Sequence, residues 1–420
     1  MLEAIRFGLA RCIASFVALF CALLFAGAAF AADPIKIGFS MPLSGPLASS
    51  GKAILTAYQM WEEDVNAKGG ILGRPVKLVY YDDQSNPTLV PGIYAKLFDI
   101  DKIDLVMTSY GTNLAVPSMP VVIPRGKVLF GLFALAVNDQ FSYPRYFSMF
   151  PAGPDAIHEF SRGYFEIAKK QNLKTVAIIS ADTDFAKKAG DGAIENAKKL
   201  GFNIVFSRSY PPNTVDFSPV VRAAQAANPD FIYVASYPAD TVGIVRAAHE
   251  IGLKTKMFGG GMVGPQYAAI KAQLGELLNK IVNYDFYVPE PTVPFTGIAE
   301  FLARYQAKAA GGGFDALGFF IPPFAYANGQ VLAQAVQAIG SLDQQKLADY
   351  LHANTFKTIV GDISFAKNGE WATPRVLQTQ FQGISGNGLD QFKKAGTQVI
   401  VFPEALESGR LVMPYAEAAR

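Results

Sequence analysis

From Pro34 onward the sequence alternates short apolar runs with longer stretches in which apolar residues recur every three or four positions. The runs Ile35–Phe39, Val76–Tyr81, Asp104–Met107 and Val128–Phe133 are rich in Val, Ile, Leu and aromatics, as buried strands are. Between the first two, Ile54, Tyr58, Trp61 and Val65 fall on one helix face, and Lys68-Gly69-Gly70 supplies a C-terminal stop. Asn86 followed by Pro87 marks another helix start, because proline needs no hydrogen-bond acceptor at the first helical position. A second series begins with the helical pattern Ile157, Phe160, Tyr164, Ile167. Strand-like runs follow at Thr175–Ser180, Asn203–Phe206, Phe231–Ser236 and Lys256–Phe258, with helices near Asp216–Ala227 and Asp240–Ile251. Strands alternating with helices of this length build βαβ units on a parallel sheet. Two such series, joined near Tyr146–Asp155, predict an α/β protein of two lobes.

After a further strand at Lys280–Phe286, Pro289, Pro291 and Pro294 punctuate the chain, and helices are expected at Thr296–Ala309 and Phe324–Ile339. No new βαβ series starts there, so this material is expected to return to the first lobe. Strand-like pieces at Asp362–Phe365 and Val376–Gln382 lie in the last part of the chain.

The N-terminus reads as a secretory leader. Arg6 and Arg11 precede an uncharged apolar run from Ile13 to Phe25, and Ala29-Phe30-Ala31 offers a small-x-small cleavage pattern. The run is shorter than the ~20 residues of a membrane span. Export as a free soluble protein, cut after Ala31, is expected. Both cysteines, Cys12 and Cys21, fall inside the leader. The mature chain can then form no disulfide, thiolate metal site or cysteine nucleophile. Phe20 before Cys21 does not fit a lipoprotein acceptor.

Composition removes further classes. Of 420 residues, 50% are hydrophobic and 17% charged, which is a packed globular protein and not a disordered one. The 37 basic and 35 acidic residues leave a net charge of +2, and basic residues occur only as scattered pairs such as Lys169-Lys170. Nucleic acid is not an expected partner. His158, His249 and His352 are too far apart for a zinc-type pair, so neither a metal nor any other cofactor is expected. Gly45–Lys52 resembles a phosphate loop but has one residue too many between its glycines, and Ala53 stands where a hydroxyl should bind magnesium. Gly259–Gly264 matches a dinucleotide-binding pattern in form, with Asp285 about twenty residues on. It follows the last strand of the second series instead of the first, so a tight turn is the better reading. An exported NAD-dependent oxidoreductase is the alternative function it would imply.

In open α/β sheets ligands bind at the carboxyl ends of the strands. Here those ends are Ser40–Ser44, Asp82-Asp83, Thr108–Asn113 and Phe133–Val137, then Ser180–Phe185, Ser236-Tyr237 and Gly259–Met262. Hydroxyls, aromatics and glycines gather there in both series, which suits a small ligand and no catalytic chemistry.

The blocks Ile35-Lys36-Ile37-Gly38, Pro42-Leu43-Ser44-Gly45, Asn66–Gly73 and Tyr81-Asp82-Asp83, with Gly361–Phe365 and Asn368-Gly369-Glu370 later, resemble the branched-chain amino-acid binding protein family. These are periplasmic receptors of ABC importers with the type I periplasmic-binding fold. The resemblance implies two Rossmann-like lobes with parallel sheets, joined by three crossovers near Pro151–Pro154, Tyr284–Pro289 and Ile359–Asp362. It implies lobe 1 at 34–152 plus 288–359, lobe 2 at 153–286 plus 360–402, and a tail at 403–420. The implied function is a monomeric receptor that closes on a small molecule and is read by a membrane permease; a sensor subunit would use the same cleft.

Carried over residue by residue, the family's carboxylate-binding hydroxyl falls at Thr112, with Pro117 behind it. Its aspartate falls at Asp155, its second-lobe tyrosines at Phe185 and Tyr237, and its ammonium-binding glutamate at Gly261. A threonine of the loop after the fourth strand falls within Leu132–Val137, which has no hydroxyl, and the family's disulfide positions match Ser85 and Gly111. The candidate ligand contacts are therefore Tyr110, Thr112, Asn113, Phe133, Leu135, Asp155, Phe185, Tyr237, Gly261 and Phe320. A buried ammonium without a partner costs several kcal/mol. The expected ligand is a branched-chain or related amino acid or, in preference, an apolar or aromatic carboxylate or amide without the amine; Asp83, Asp155 or Asp182 could supply the anion an amino acid needs. Thr112→Val is expected to weaken binding and leave the melting temperature nearly unchanged.

Overall fold

The computed structural model describes residues 33–293 and 295–415. The expected leader and both cysteines lie outside these residues. Strands β1 (Ile35–Met41), β2 (Val76–Asp82), β3 (Leu105–Tyr110), β4 (Leu129–Leu132) and β5 (Tyr146–Ser148) form a parallel sheet in the order β2-β1-β3-β4-β5. Every residue of β3 and β4 is buried. Helices cover both faces of such a sheet, which is why its inner strands read as unbroken apolar runs. The strand β5, only three residues long, has no periodicity to reveal it.

The second sheet contains β6 (Thr175–Ala181), β7 (Asn203–Tyr210), β8 (Phe231–Ser236), β9 (Met257–Met262) and β10 (Val282–Asp285). A two-stranded antiparallel ribbon follows, β11 (Thr355–Thr358) with β12 (Gly361–Ser364). Then β13 (Leu377–Phe381) and β14 (Gln398–Phe402) join the second sheet antiparallel, giving the order β14-β13-β10-β9-β8-β6-β7. The architecture is α/β with two lobes. No helix among the described residues is long and apolar enough to cross a membrane.

The helices Ile298–Ala309 and Pro322–Ile339 pack on the first-lobe helix Ala48–Ala67. Arg304 grips Asp64 with both terminal nitrogens at 2.8 Å, and Asn328 donates to the Tyr58 hydroxyl at 3.1 Å. The β11–β12 ribbon lies on the same lobe. Phe365 packs on Phe147 and Phe130 with ring centroids 5.1 and 6.3 Å apart. Gly361–Phe365 was expected with the second lobe; it pairs locally instead, and its apolar residues cover the outer strands of the first sheet. The chain then passes to the second sheet through Pro374–Val376. The tail also lies on that sheet, where Gln380 holds the Val412 backbone and Tyr415 packs on Phe258.

Two glycine-rich segments fold differently from their motif readings. Gly51 lies inside the first helix, where a Cβ would stand 2.0 Å from the Pro42 carbonyl oxygen. Its smallness lets helix and loop touch. Gly259, Gly260 and Gly261 are not a turn but part of β9. Cβ atoms on Gly260 and Gly261 would stand 2.4 Å from the Tyr233 ring and 2.5 Å from its hydroxyl. The bare strand makes room for that tyrosine beneath it, so the run offers no free backbone to a dinucleotide phosphate.

Candidate functional site

Where the carboxyl ends of the two sheets face each other, the lobes enclose a cavity of about 20 Å³, the room of roughly one water. Tyr110, Gly111, Thr112, Phe133 and Phe150 line it from the first-lobe strand ends, Phe185, Tyr237, Val263 and Tyr284 from the second, with Phe320 from a later segment. Six of the sequence candidates meet here: Tyr110, Thr112, Phe133, Phe185, Tyr237 and Phe320.

Each is held by its local chain. Thr112 opens the winding segment 112–125, which Pro117, Pro120 and Pro124 interrupt because none can donate a hydrogen bond. Its first helical piece spans only Thr112–Ala115, so little macrodipole stands behind the hydroxyl. The Thr112 oxygen accepts the Leu135 amide at 3.0 Å, which ties the two loops together and leaves the hydroxyl proton for another acceptor. Phe133 sits at φ 50°, a left-handed conformation uncommon for a bulky residue. Edge-on contacts to Phe320, Phe286, Phe324 and Phe150, with centroids 5.0–5.6 Å apart, hold it there. Phe185 and Tyr237 stand at the starts of the second-lobe helices Asp184–Leu200 and Pro238–Glu250 and pack at 5.5 Å.

The polar groups on the cavity wall are hydroxyls. Tyr110 and Tyr267 hydroxyls stand 3.0 Å apart, and Ser50 donates to Tyr267 at 2.8 Å, a chain that joins the lobes. Burial pushes the Tyr110 phenol up to about 12 and those of Tyr237 and Tyr284 well above their ordinary value. All three stay protonated donors at neutral pH. The side chains on the wall include no carboxylate and no cation.

Four sequence candidates lie off the wall. Leu135 is buried and contributes its amide to Thr112 instead of its side chain. Asn113 bridges the lobes by accepting the Phe185 amide at 3.2 Å. Asp155 is exposed and paired with His158 at 2.6 Å, far from needing a ligand cation. Gly261 faces Tyr233 and the Val234 carbonyl, so a glutamate could not stand there; the cavity-facing residue at this strand end is Val263, turned inward by its helical backbone angles. None of the proposed substitute anions reaches the cavity. Asp83 is buried under the Ser109 hydroxyl at 2.6 Å and the Ser85 amide at 3.0 Å, and Asp182 pairs with Lys187. Gly111, Phe150, Val263 and Tyr284 were missed, because apolar residues and a lone tyrosine at strand ends look like ordinary core.

Two α/β lobes meeting strand end to strand end around one small aromatic cavity have the architecture of a solute-binding protein. The chain belongs to the periplasmic binding protein family, whose profile matches residues 34–383. It is 27% identical over 414 residues to "Leu/Ile/Val-binding protein homolog 7" of Brucella abortus (strain 2308), covering 95% of this chain and 98% of that protein. Its fold matches the branched-chain amino acid transporter substrate-binding protein LivJ of Streptococcus pneumoniae in complex with isoleucine, with TM-score 0.71, 20% identity, and coverage of 88% of this chain and 100% of that one. It equally matches an ABC transporter solute-binding protein of R. palustris in complex with benzoate, with TM-score 0.71, 17% identity and coverage of 88% and 95%.

Proposed function

We propose that this protein is a periplasmic receptor, exported through its leader, that closes its two lobes on an apolar or aromatic carboxylate or amide lacking an α-amine. The closed form is presented to the membrane permease of an ABC importer. Lobe 1 comprises 34–152 and 288 onward to the passage at Pro374–Val376, and lobe 2 the remainder. The observation that carries the ligand class is the wall itself: hydroxyl donors and aromatic rings, with Val263 at the second-lobe strand end in place of an acid. A carboxylate can take hydrogen bonds from Thr112, the open amides that begin its helix, and the neighbouring phenols. An ammonium there would meet hydroxyls and rings but no carboxylate to balance its charge. The 20 Å³ left between the lobes requires them to part before any such ligand enters.

The names of the relatives favour a second reading, a branched-chain amino acid. Calorimetry on matched pairs separates the two: phenylalanine against 3-phenylpropanoate, leucine against 4-methylpentanoate, with benzoate alongside. Binding of the deaminated member at least tenfold more tightly, about 1.4 kcal/mol, is expected. Tight binding of the amino acid alone sinks the proposal.

A further inference from the structure

A larger pocket, about 560 Å³, opens away from the cleft where the passages between the lobes converge. That volume lies in the range of small-molecule sites. Pro374 of the last passage packs against Gly153 of the first, and Phe295 lies beside Gly361. Phe286, Phe295, Val376, Leu377, Phe402 and Leu406 give it apolar walls. Phe286 also belongs to the cleft wall's support: its ring stacks on Phe320 at 5.9 Å and meets Phe133 edge-on at 5.4 Å. Phe286 thus touches the rings of the cleft wall from the side of this pocket.

The charges around the pocket are two arginines and one acid. Arg375 is spent internally, donating to the Val360 carbonyl at 2.6 Å and to that of Asp362, with its guanidinium 5.2 Å from the Trp371 ring. Arg162 is not. Its Nε donates to Glu159 at 2.7 Å, its guanidinium lies 5.8 Å from the Phe402 ring, and its two terminal nitrogens have no protein acceptor among the described residues. Glu159 takes the inner nitrogen and thereby fixes the fork with its outer donors free. With both arginines charged, the pocket keeps an excess of one positive charge.

We propose that this pocket is a second ligand site, for a small amphipathic carboxylate whose apolar body lies on Phe295, Phe402 and Leu406 and whose anion is held by the fork of Arg162. A bidentate arginine–carboxylate pair beside an apolar slot selects the acid over the corresponding alcohol or amine.

The test uses the full mature chain and 4-phenylbutyrate, with 4-phenylbutanol and 4-phenylbutylamine as charge controls. Calorimetry is run on the wild type, Arg162→Gln, Leu406→Trp and the cleft variant Val263→Glu. Arg162→Gln is a half-exposed surface change that should fold. Expected is a binding event that survives Val263→Glu, weakens about tenfold in Arg162→Gln, is blocked in Leu406→Trp, and is not given by the amine. No event surviving Val263→Glu overturns the site. Equal affinity in Arg162→Gln, or equal binding of the alcohol, overturns the ligand class. A failure of the cleft reading shows instead as the absence of any event that Val263→Glu removes, and leaves this one standing.

Discussion

The ammonium of Lys188, on the second-lobe helix Asp184–Leu200, donates to the carbonyl oxygen of Ala136 in a first-lobe loop at 2.8 Å. The same nitrogen reaches the Leu135 carbonyl at 3.3 Å, and Ala136 holds a left-handed φ of 48° that turns its carbonyl outward. The bond spans the two lobes, so parting them would break it. Burial lowers the Lys188 pKa, while Asp139, Asp184 and Glu370 nearby support its charge.

Lys188→Met therefore removes a charged hydrogen bond between the lobes. Such bonds are worth about 1.5–3 kcal/mol. Ligand affinity should fall at least tenfold by calorimetry, and the unliganded protein should show a larger radius in solution scattering. An unchanged affinity would show that closure does not use this contact.

Thr112 carries two roles, and the expectation of an unchanged melting temperature for Thr112→Val does not fit its surroundings. The valine would leave the buried Leu135 amide without an acceptor, at about 1–3 kcal/mol. Thermal unfolding should fall by several degrees and ligand affinity should fall with it. Thr112→Ser keeps the oxygen and should restore both within a factor of a few. If the valine variant melts like the wild type, the amide finds another partner.

Gly261→Ala places a methyl group 2.5 Å from the Tyr233 hydroxyl, inside a strand whose neighbours are all buried. Overpacking of this kind costs about 1–3 kcal/mol. Denaturant unfolding should show that loss. The double change with Tyr233→Phe should recover part of it, because it removes the clashing oxygen.

His158 lies between Asp155, at 2.6 Å, and Glu195, and these two acids raise its pKa, Asp155 most. The stabilisation is full below the unfolded value of about 6.5 and is lost as pH rises through the higher folded value. His158→Gln should thus cost stability at pH ~5 and little at pH ~9. The group is part-exposed, so less than about 1 kcal/mol is at stake. A larger loss in alkali than in acid would refute the assignment.

Glu370 loses stability in the same direction of pH, but because its charged form is penalised and not because its charge is paired. It is fully buried, neither carboxylate oxygen has a hydrogen-bond partner among the described residues, and burial pushes its pKa up to about 8, with the nearby Ser148 hydroxyl pulling the other way. The folded form resists ionisation, so stability falls as pH rises from the unfolded value toward 8, by up to about 1.4 kcal/mol per unit. Glu370→Gln should match the wild type near pH 4 and exceed it at pH 8 in thermal unfolding.

Much of the fold was legible because buried parallel strands and one-faced helices leave different periods in the sequence. Phe231–Ser236 begins and ends where its apolar run does. Ile54, Tyr58 and Trp61 mark the buried face of the first helix, which stops at Lys68 before its glycines. The local signals failed where three-dimensional neighbours decide. Tyr146–Ser148 is a strand because β4 lies beside it, and Gly259–Gly261 continues a strand because Tyr233 and Val282 close over it.

The site divides in the same way. That hydroxyls and aromatics gather at strand ends is written in the chain, since strand ends follow from the apolar runs. Which of them share a cavity is not. Val263 and Gly261 are two residues apart, yet the backbone turn after Met262 sends one to the cleft and leaves the other against Tyr233. Asp155 and Tyr237 both follow secondary-structure boundaries, yet only the second points across to Gly111. The sequence by itself determined an α/β protein of two lobes, because period and composition are local. The tertiary structure alone decided the aromatic, acid-free wall, because which strand-end side chains share a cavity depends on backbone turns and on neighbours far along the chain.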